Sequence, residues 1–315
     1  MIRILFTNSG RRTYLLNYCH KLTTKGYKIK IHASDTSYDV SSFYTNRHVK
    51  NFITPQVSDN EKSYLSKLFI ICKKNKIDLL IPLIDPELKI LSKNKDKFLK
   101  IGTNIVVSDY ELVSKLIDKK KVDLFCRKNQ IKYPKSYYNL RSFNNKFPVI
   151  KKKIIGSASV GLEIIKNKKK FKNINFKKNM LQKFIKGKEI NLDILNDFAG
   201  NYVHSCAKLK ISMRGGETDK AKILNQSKYT LLSKKISKTL KHIGPMDIDL
   251  IEDNSGNFYF IDFNPRFGGG YEFTRAAGCD YLKAIIDMHL NKKTTLPSKP
   301  KPITGMKGIQ MYYHN

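Results

Sequence analysis

Short apolar runs alternate with amphipathic segments over the first third of the chain. Four runs have the length of buried strands: residues 2–6, 29–33, 78–83 and 104–107. Three segments between them carry apolar positions at helical spacing: residues 13–25, 61–74 and 86–98. This order predicts a parallel, doubly wound sheet of the α/β class. We expect two short helices, at about residues 111–117 and 119–128, to lead out of it.

After residue 147 the strand-like segments follow one another directly, and this predicts antiparallel pairing in an α+β arrangement. The segments are residues 149–152, 161–165, 179–184, 189–195, 202–211, 247–252, 258–263 and 308–312, with a helix at about 231–242. We therefore expect three domains. They are a Rossmann-like parallel sheet (1–110), a small α+β lid domain with a Gly/Ser loop (111–185) and an antiparallel α+β domain with a metal-binding hairpin (186–315).

The composition is that of a globular protein. Of the 315 residues, 41% are hydrophobic, which excludes intrinsic disorder and fibrous classes. No apolar run approaches the roughly 18–20 residues that cross a bilayer, so we expect no membrane partner. The five cysteines lie far apart without a C-x-x-C pair, which argues against a disulfide framework or a structural zinc site. We expect a cytoplasmic protein.

The net charge of +34 suggests attraction to anions, but its distribution does not favour nucleic acid. Only nine of the 60 basic residues are arginine, and the lysines are spread over almost every segment. The lysine runs have no interleaved aromatic residues of the kind on which single-stranded nucleic acids stack. We therefore expect anionic small molecules such as nucleotides as ligands, and no nucleic-acid partner.

Polar residues follow the predicted strands of the first sheet, where an α/β sheet usually holds a ligand. They are Thr7, Asn8, Asp35, Asp85 and Glu87, and the two aspartates are equally suited to capping or turn roles. The loop that follows the first strand contains Gly10-Arg11-Arg12 and lacks the G-x-G-x-x-G pattern, so dinucleotide binding is poorly supported. The same loop can still bind an anion at the helix N-terminus.

A lysine-bearing strand runs into the loop Gly156–Gly161, which is small and polar. Backbone N–H groups of such a loop can approach phosphate oxygens closely. The loop is not a Walker A motif, because the lysine precedes it, and it is not a G-x-S-x-G elbow. An ordinary Gly-turn hairpin is the alternative. Strand alternation alone does not decide whether Lys151, Lys152 or Lys153 is the phosphate lysine.

Two acidic strands flank the turn Asn254–Asn257. A two-residue hairpin loop would place Asp249 opposite Asp262 and Asp247 opposite Asn264. Like charges that face each other across a ladder are destabilising, and a divalent cation between them reverses this effect. Oxygen ligands without Cys or His suit Mg²⁺. The alternative is a pair of solvated acids at the strand ends.

The chain resembles the ATP-grasp superfamily, in its carbamoyl-phosphate-synthase-like branch of free-standing carboxylate–amine ligases. The resemblance runs from the first strand to about Gly278, and three segments carry it. They are Ile261-Asp-Phe-Asn-Pro-Arg266, the loop from Lys152 to Gly161, and Gln182-Lys-Phe-Ile-Lys-Gly-Lys-Glu189, which is similar to the hinge between domains. It implies the ATP-grasp fold for the three domains, and ATP with Mg²⁺ or Mn²⁺ as cofactors.

The resemblance also implies roles for individual residues. The nucleotide-binding set is Lys119, Lys152, Ser157, Ala158, Ser159, Gln182, Lys183, Phe184, Ile185 and Glu189. The metal ligands are Asp249, Asp262 and Asn264, and the catalytic set is Arg266, Lys152 and Asn264. The substrate set is Arg214, Gly216, Glu217, Lys220, Gly268, Gly269 and Arg275, although residues 214–220 are equally suited to a surface turn. Asp249 and Asp262 are shorter than the residues that the family often has there.

The reaction implied by the resemblance has two steps. The γ-phosphoryl group of ATP moves to a carboxylate, and an amine then displaces phosphate to form an amide. The partners would be a small-molecule carboxylate and an amine, which the sequence does not identify, and a homodimer is compatible with it. A kinase-type phosphotransferase with the same ATP site and a non-catalytic ATP-binding sensor are the alternatives.

Overall fold

The computed structural model describes residues 1–144, 146–156, 161–169 and 174–313. Its first sheet is parallel throughout, in the order β3-β2-β1-β4-β5. The strands are β1 (Ile2–Thr7), β2 (Ile29–Asp35), β3 (Val49–Ile53), β4 (Leu79–Pro82) and β5 (Asn104–Ile105). The helices of this region are α1 (Thr13–Thr23), α2 (Ser41–Tyr44), α3 (Glu61–Asn75), α4 (Asp85–Leu99), α5 (Tyr110–Leu116) and α6 (Lys119–Lys128).

Two antiparallel sheets follow. The second sheet has the order β6-β9-β7-β8, with β6 (Ser136–Tyr137), β7 (Val149–Lys153), β8 (Glu163–Ile165) and β9 (Asn179–Lys183). The third has the order β14-β13-β10-β11-β12-β15, with β10 (Gly187–Asn196), β11 (Tyr202–Arg214), β12 (Glu217–Leu224), β13 (Gly244–Asp253), β14 (Phe258–Asn264) and β15 (Thr304–Met306). The remaining helices are α7 (Ser227–Leu240), α8 (Tyr271–Ala276) and α9 (Tyr281–His289). The predicted fold class, a parallel sheet followed by antiparallel α+β, is confirmed.

One prediction about the third sheet was wrong. The final strand is not at 308–312 but at Thr304–Met306, where it pairs with residues 220–222 of β12. The surface turn that the sequence offered as an alternative for residues 214–220 is confined to Gly215 and Gly216 (φ +56° and +78°), and β12 begins directly after them. The sequence also gave no signal for β3, an edge strand whose side chains are mostly half-buried.

One hydrophobic core joins the two ends of the chain. Buried residues of β1 and α1, such as Phe6 and Leu15, belong to the same cluster as Tyr271 in α8 and Leu282 in α9. A separate cluster fills the other face of the first sheet, and a third lies between α7 and the strands of the third sheet. In the part of the chain that the structure describes, every helix is too short or too polar to cross a bilayer.

Candidate functional site

A cavity of about 820 Å³ receives residues from all three sheets. Leu83 and Asp85, directly after β4, contribute from the first sheet, and Gln182 in β9 from the second. Asp249 and Asp262 contribute from β13 and β14 of the third. The cavity therefore includes the carboxyl end of β4, where the sequence predicted a ligand crevice.

The turn between β13 and β14 differs from the predicted one. The backbone N–H of Asp253 donates to the carbonyl of Asn257 (3.0 Å), so the loop contains three residues rather than two. Gly256, the last of them, has φ +78°, as such loops require. The prediction of a two-residue loop was wrong, and the register beside the turn is shifted by one residue.

A β-bulge at Ile261 corrects this shift. The ladder register changes between Leu250 and Asp249, which leaves Ile261 as the extra residue on β14. Beyond the bulge Asp249 lies opposite Asp262, and Asp247 lies opposite Asn264. The predicted pairing is therefore confirmed, although a longer loop and a bulge produce it together.

Asp247 lies at the centre of a hydrogen-bonded cluster. The side-chain amide of Asn191 donates to Asp247 (2.6 Å) and to Asp249 (2.7 Å), and that of Asn264 donates to Asp247 (3.3 Å). Burial, with the neighbouring carboxylate of Asp249, raises the pKa of Asp247 to about 6. The predicted metal set omitted Asp247. Its period-two spacing from Asp249 indicates that both side chains are on one face of the strand.

The oxygen donors of Asp249, Asp262 and Asn264 fit a hard cation such as Mg²⁺ by their chemistry. Among the described residues, no three His, Cys, Asp or Glu side chains are close enough together to hold a metal ion. The predicted set is of a different kind, because its three ligands are two carboxylates and one amide. Both carboxylates are balanced by lysines. Lys210 pairs with Asp249 (3.2 Å), and Lys119 pairs with Asp262 (3.5 Å).

Lys152 is the buried member of its lysine triplet. Its ammonium donates to the carbonyl of Ile261 (3.2 Å), the residue that the bulge leaves unpaired in the ladder. Burial lowers the pKa of Lys152 to about 7, and the charge of Lys119 acts in the same direction while that of Asp262 opposes it. Lys119 also donates to the carbonyl of Gly156 (2.9 Å). Two amines thus lie beside one carboxylate.

The other two lysines of the triplet differ from Lys152. Lys151 pairs with Glu163 on β8 (2.9 Å) and does not line the cavity, whereas the exposed Lys153 lines it. The structure therefore separates residues that strand alternation alone left equivalent.

A largely apolar slot forms another part of the cavity. Its wall includes Pro134, Ile150, Ile164, Phe184, Ile185 and Ile251. Gln182 is buried there and donates to Ser136 Oγ (3.1 Å). Lys183 and Glu189 also line the cavity, and Glu189 accepts a hydrogen bond from Lys210. The predicted residues Ser157, Ala158 and Ser159 lie outside the described part of the chain.

Arg266 joins the first sheet to the third. Its Nη2 donates to Asp85 (2.8 Å), its Nη1 donates to the carbonyl of Phe267 (3.0 Å), and Nη1 lies 3.8 Å from Asp247. Burial disfavours the charged guanidinium, but the two carboxylates outweigh burial and raise the pKa of Arg266 above its ordinary value. Arg266 is therefore a permanent cation inside the cavity.

The predicted substrate residues divide into two groups. Gly216, Glu217 and Gly269 line the cavity. Arg214, Lys220, Gly268 and Arg275 do not line it. Arg214 instead pairs with Asp219 and donates to the carbonyl of Lys307 (3.1 Å).

The other residues outside the lining also have structural surroundings. Arg275 pairs with Asp280 (3.2 Å), and its guanidinium lies 3.7 Å from the ring centre of Tyr18. Lys220 lies in β12 opposite Met306. Gly268 accepts a hydrogen bond from the hydroxyl of Tyr14 (3.2 Å) through its carbonyl.

Arg12 lines the cavity, although no role was predicted for it beyond the loop after β1. Its guanidinium lies 3.3 Å from the carboxylate of Glu217 and donates to the hydroxyl of Tyr14 (3.1 Å). The loop therefore contributes a side-chain cation to the cavity. The Arg12–Glu217 pair therefore places a positive and a negative side chain next to each other in the cavity wall.

Asp85 is the strand-end acid that reaches the cavity. Asp35 accepts hydrogen bonds from the backbone of Gly10 and Thr36 (2.7 Å each) and so shapes the loop after β1. Glu87 is fully buried and accepts the N–H group of Leu83 (2.9 Å) before α4. The capping or turn alternative, offered for Asp35 and Asp85, thus describes Asp35, and Asp85 contributes to the cavity instead.

Two segments of the sequence match models of known protein families. Residues 4–106 match the PylC-like N-terminal domain, and residues 116–270 match the ATP-grasp domain. The two segments cover most of the chain and leave only a short gap between them. The chain belongs to the ATP-grasp superfamily, as its motifs predicted.

Solved structures share the fold at low sequence identity. An L-amino acid ligase from Bacillus licheniformis is 15% identical with a TM-score of 0.71, over 96% of this chain and 75% of that chain. N5-carboxyaminoimidazole ribonucleotide synthetase from Thermotoga maritima is 16% identical with a TM-score of 0.68, over 96% and 79%. The biotin carboxylase domain dimer of 2-oxoglutarate carboxylase from Hydrogenobacter thermophilus, in complex with MgADP, ADP and bicarbonate, is 14% identical with a TM-score of 0.71, over 93% and 70%. No curated protein matches the sequence.

Proposed function

We propose that this protein is an ATP-dependent ligase that activates a carboxylate as an acyl phosphate and couples it to an amine, forming an amide. One observation carries the proposal. A single cavity brings together two buried lysines, a permanent arginine cation and the oxygen donors of β13 and β14. The ATP-grasp match and the similarity to an amino acid ligase support the same reaction class.

In this proposal the adenine of ATP lies in the apolar slot beside Gln182 and Phe184, and Glu189 binds the ribose hydroxyls. Lys119 and Lys152, whose ammonium groups lie near the carboxylate of Asp262, bind the phosphates. Both lysines are more than 90% buried, so they act in a medium where charge interactions are strong. The burial of Lys152 is large enough to lower its pKa to about 7, and a bound phosphate would favour its charged form.

Asp249, Asp262 and Asn264 would hold Mg²⁺, and a complex of a similar fold with MgADP supports this cofactor. Mg²⁺, when bound, supplies charge that offsets the phosphate oxygens. Asp247 and Asn191 orient two of these side chains through hydrogen bonds of 2.6–3.3 Å. Mn²⁺ prefers the same oxygen ligands and is the second candidate ion.

The chemical task of this chain is to stabilise charge on a phosphoryl group in transfer. The substrate carboxylate attacks the γ-phosphorus, the bond from that phosphorus to the β,γ-bridging oxygen breaks, and ADP leaves. Arg266, Lys119 and Lys152 neutralise the oxygens in that step. The amine then attacks the acyl carbon, phosphate leaves with the bonding electron pair, and the nitrogen loses a proton. Exclusion of water from the cavity during the reaction would protect the acyl phosphate.

The remaining part of the cavity is proposed to receive the small-molecule substrates. Glu217, Gly216 and Gly269 line it, together with Arg12. The Arg12–Glu217 pair offers a cation and an anion, and the glycines leave room beside them. The identities of the carboxylate and the amine are to be found by assay.

The test is ADP release from Mg-ATP with a panel of amino acids and small carboxylates, in the presence of hydroxylamine to trap acyl phosphate. We expect hydroxamate with at least one acid, and loss of both signals in Lys152→Ala and Asp262→Ala. Lys151→Ala is the matched control, because its amine pairs with Glu163 outside the cavity lining. It should retain activity within about twofold.

Two other outcomes would contradict the proposal. ADP release with a stable phosphoester and no hydroxamate would indicate a phosphotransferase. ATP binding without turnover across the panel would favour a nucleotide sensor.

A further inference from the structure

The contact between Asp85 and Arg266 is the direct link from the first sheet to the cation proposed to act on the phosphoryl group. The two residues are 181 positions apart in the chain, and their hydrogen bond is 2.8 Å long. Their side chains are only 18% and 11% exposed, respectively. The bond is therefore a built contact inside the cavity rather than a transient surface pair.

Two carboxylates lie beside Arg266 and offset its positive charge. Asp85 accepts a direct hydrogen bond, and Asp247 lies 3.8 Å from the other terminal nitrogen. The guanidinium of Arg12 is the nearby like charge and opposes them. A cation neutralised in this way attracts an incoming phosphate less than a free one does.

Asp85 is held firmly in place beside Arg266. It is the first residue of α4 and is followed by Pro86, so its backbone is fixed at a helix N-terminus. A negative side chain is favoured at that position independently of Arg266. Asp85 itself lines the cavity and is not part of the proposed metal or adenine-binding sets.

We propose that Asp85 is a positioning residue that restrains Arg266: by neutralising part of its charge, Asp85 limits the preference of the site for a nucleoside triphosphate over a diphosphate. This inference rests on the proposed function, because it requires Arg266 to face the terminal phosphate.

The test compares the Kd values for MgADP and for the magnesium complex of the non-hydrolysable imido analogue of ATP, both measured by titration calorimetry. Asp85→Asn keeps the shape of the side chain and removes its charge. We expect it to raise the preference for the triphosphate analogue by about fivefold or more, a typical size for coupling between neighbouring sites. Arg266→Gln should lower the preference, and Asp85→Asn in the Arg266→Gln background should leave it unchanged.

Asp109→Asn is the matched control. It makes the same chemical change, from aspartate to asparagine, at an acid outside the cavity lining. Asp109 pairs with Lys95, which lies on α4, the helix that Asp85 begins. Asp85→Ser provides a second variant if the amide disturbs the start of α4, since serine is also favoured at helix N-termini.

An unchanged preference in Asp85→Asn, with both nucleotides still bound, would overturn this inference and leave the proposed function standing. The same holds if the effect of Asp85→Asn persists without Arg266, or if the preference falls. Wild-type protein that binds neither nucleotide would overturn the proposed function, and this inference with it.

Discussion

The glycine-rich segment Gly268–Gly270 runs against charged side chains of the site. A Cβ atom on Gly268 would lie 2.3 Å from a carboxylate oxygen of Asp247, and one on Gly269 would lie 2.8 Å from Cγ of Glu217. Real Cβ contacts are longer, so any larger residue must displace these acids. The sequence suggested that these glycines bind a substrate. The structure adds that they leave room for side chains of the third sheet.

Gly268→Ala is therefore expected to displace Asp247 and, through it, the side chains of Asn191 and Asn264. Misplacement by about 1 Å near reacting groups lowers turnover by about 10- to 100-fold. The measurement is ADP release and hydroxamate formation under the conditions of the ligase assay. Gly308→Ala is the control, because no atom lies within 4 Å of its Cβ position. Equal activity of the two variants would contradict this role.

Among the secondary-structure elements, contacts between neighbouring segments could be predicted from the sequence, and contacts between distant segments could not. Apolar runs predicted the buried strands. That Asp249 faces Asp262 was predicted from a hairpin loop one residue too short, and the pairing holds because the bulge at Ile261 restores the register. The edge strand β3 was not predicted, and the last strand was predicted at the wrong residues, because half-exposed strands need no continuous apolar run. The contact between Asp85 and Arg266 was also out of reach, since residue spacing carries no information on pairs 181 residues apart.

The last strand, β15, ends beside a lysine that fixes the substrate part of the cavity. Lys307 donates to the carbonyl of Gly269 (2.6 Å) and pairs with Glu272 (3.1 Å) and Glu217 (3.5 Å). These three partners belong to α8, β12 and the loop between β14 and α8. One side chain thus holds three elements in register beside the proposed substrate-binding surface.

Lys307→Met is expected to raise the KM for the carboxylate or amine about three- to tenfold, because Glu217 loses a partner and the loop at Gly269 gains freedom. The affinity for MgADP should stay within about twofold, since Lys307 does not line the cavity. Steady-state kinetics and calorimetry measure the two quantities. Lys301→Met, at an exposed position, is the control. An equal loss of nucleotide affinity would indicate general unfolding instead.

At the scale of the whole molecule, a buried histidine couples folding to pH. His242 is fully buried in the short segment between α7 and β13, and burial lowers its pKa to about 3 from the ordinary 6.5. Below pH 6.5 the unfolded chain binds a proton that the folded chain excludes, so this residue destabilises the fold as the pH falls.

Between pH 7 and pH 5, His242 should contribute a loss of about 2 kcal/mol to the free energy of unfolding. Urea unfolding of wild type and His242→Leu at both pH values measures this contribution. The variant should lose less stability than wild type over this interval by about that amount. Identical losses would show that His242 accepts a proton within the folded protein.

The core shared by the two ends of the chain also determines when this protein can fold during synthesis. The face of β1 and α1 that includes Phe6 and Leu15 packs with Tyr271 and Leu282. A nascent chain exposes that face until the segment that forms α8 and α9 has left the ribosome. Contacts of such sequence separation form slowly and leave apolar surface open to aggregation. The face of the first sheet that packs on α8 and α9 is therefore completed only after those helices are made, although β1 and α1 are synthesised before them.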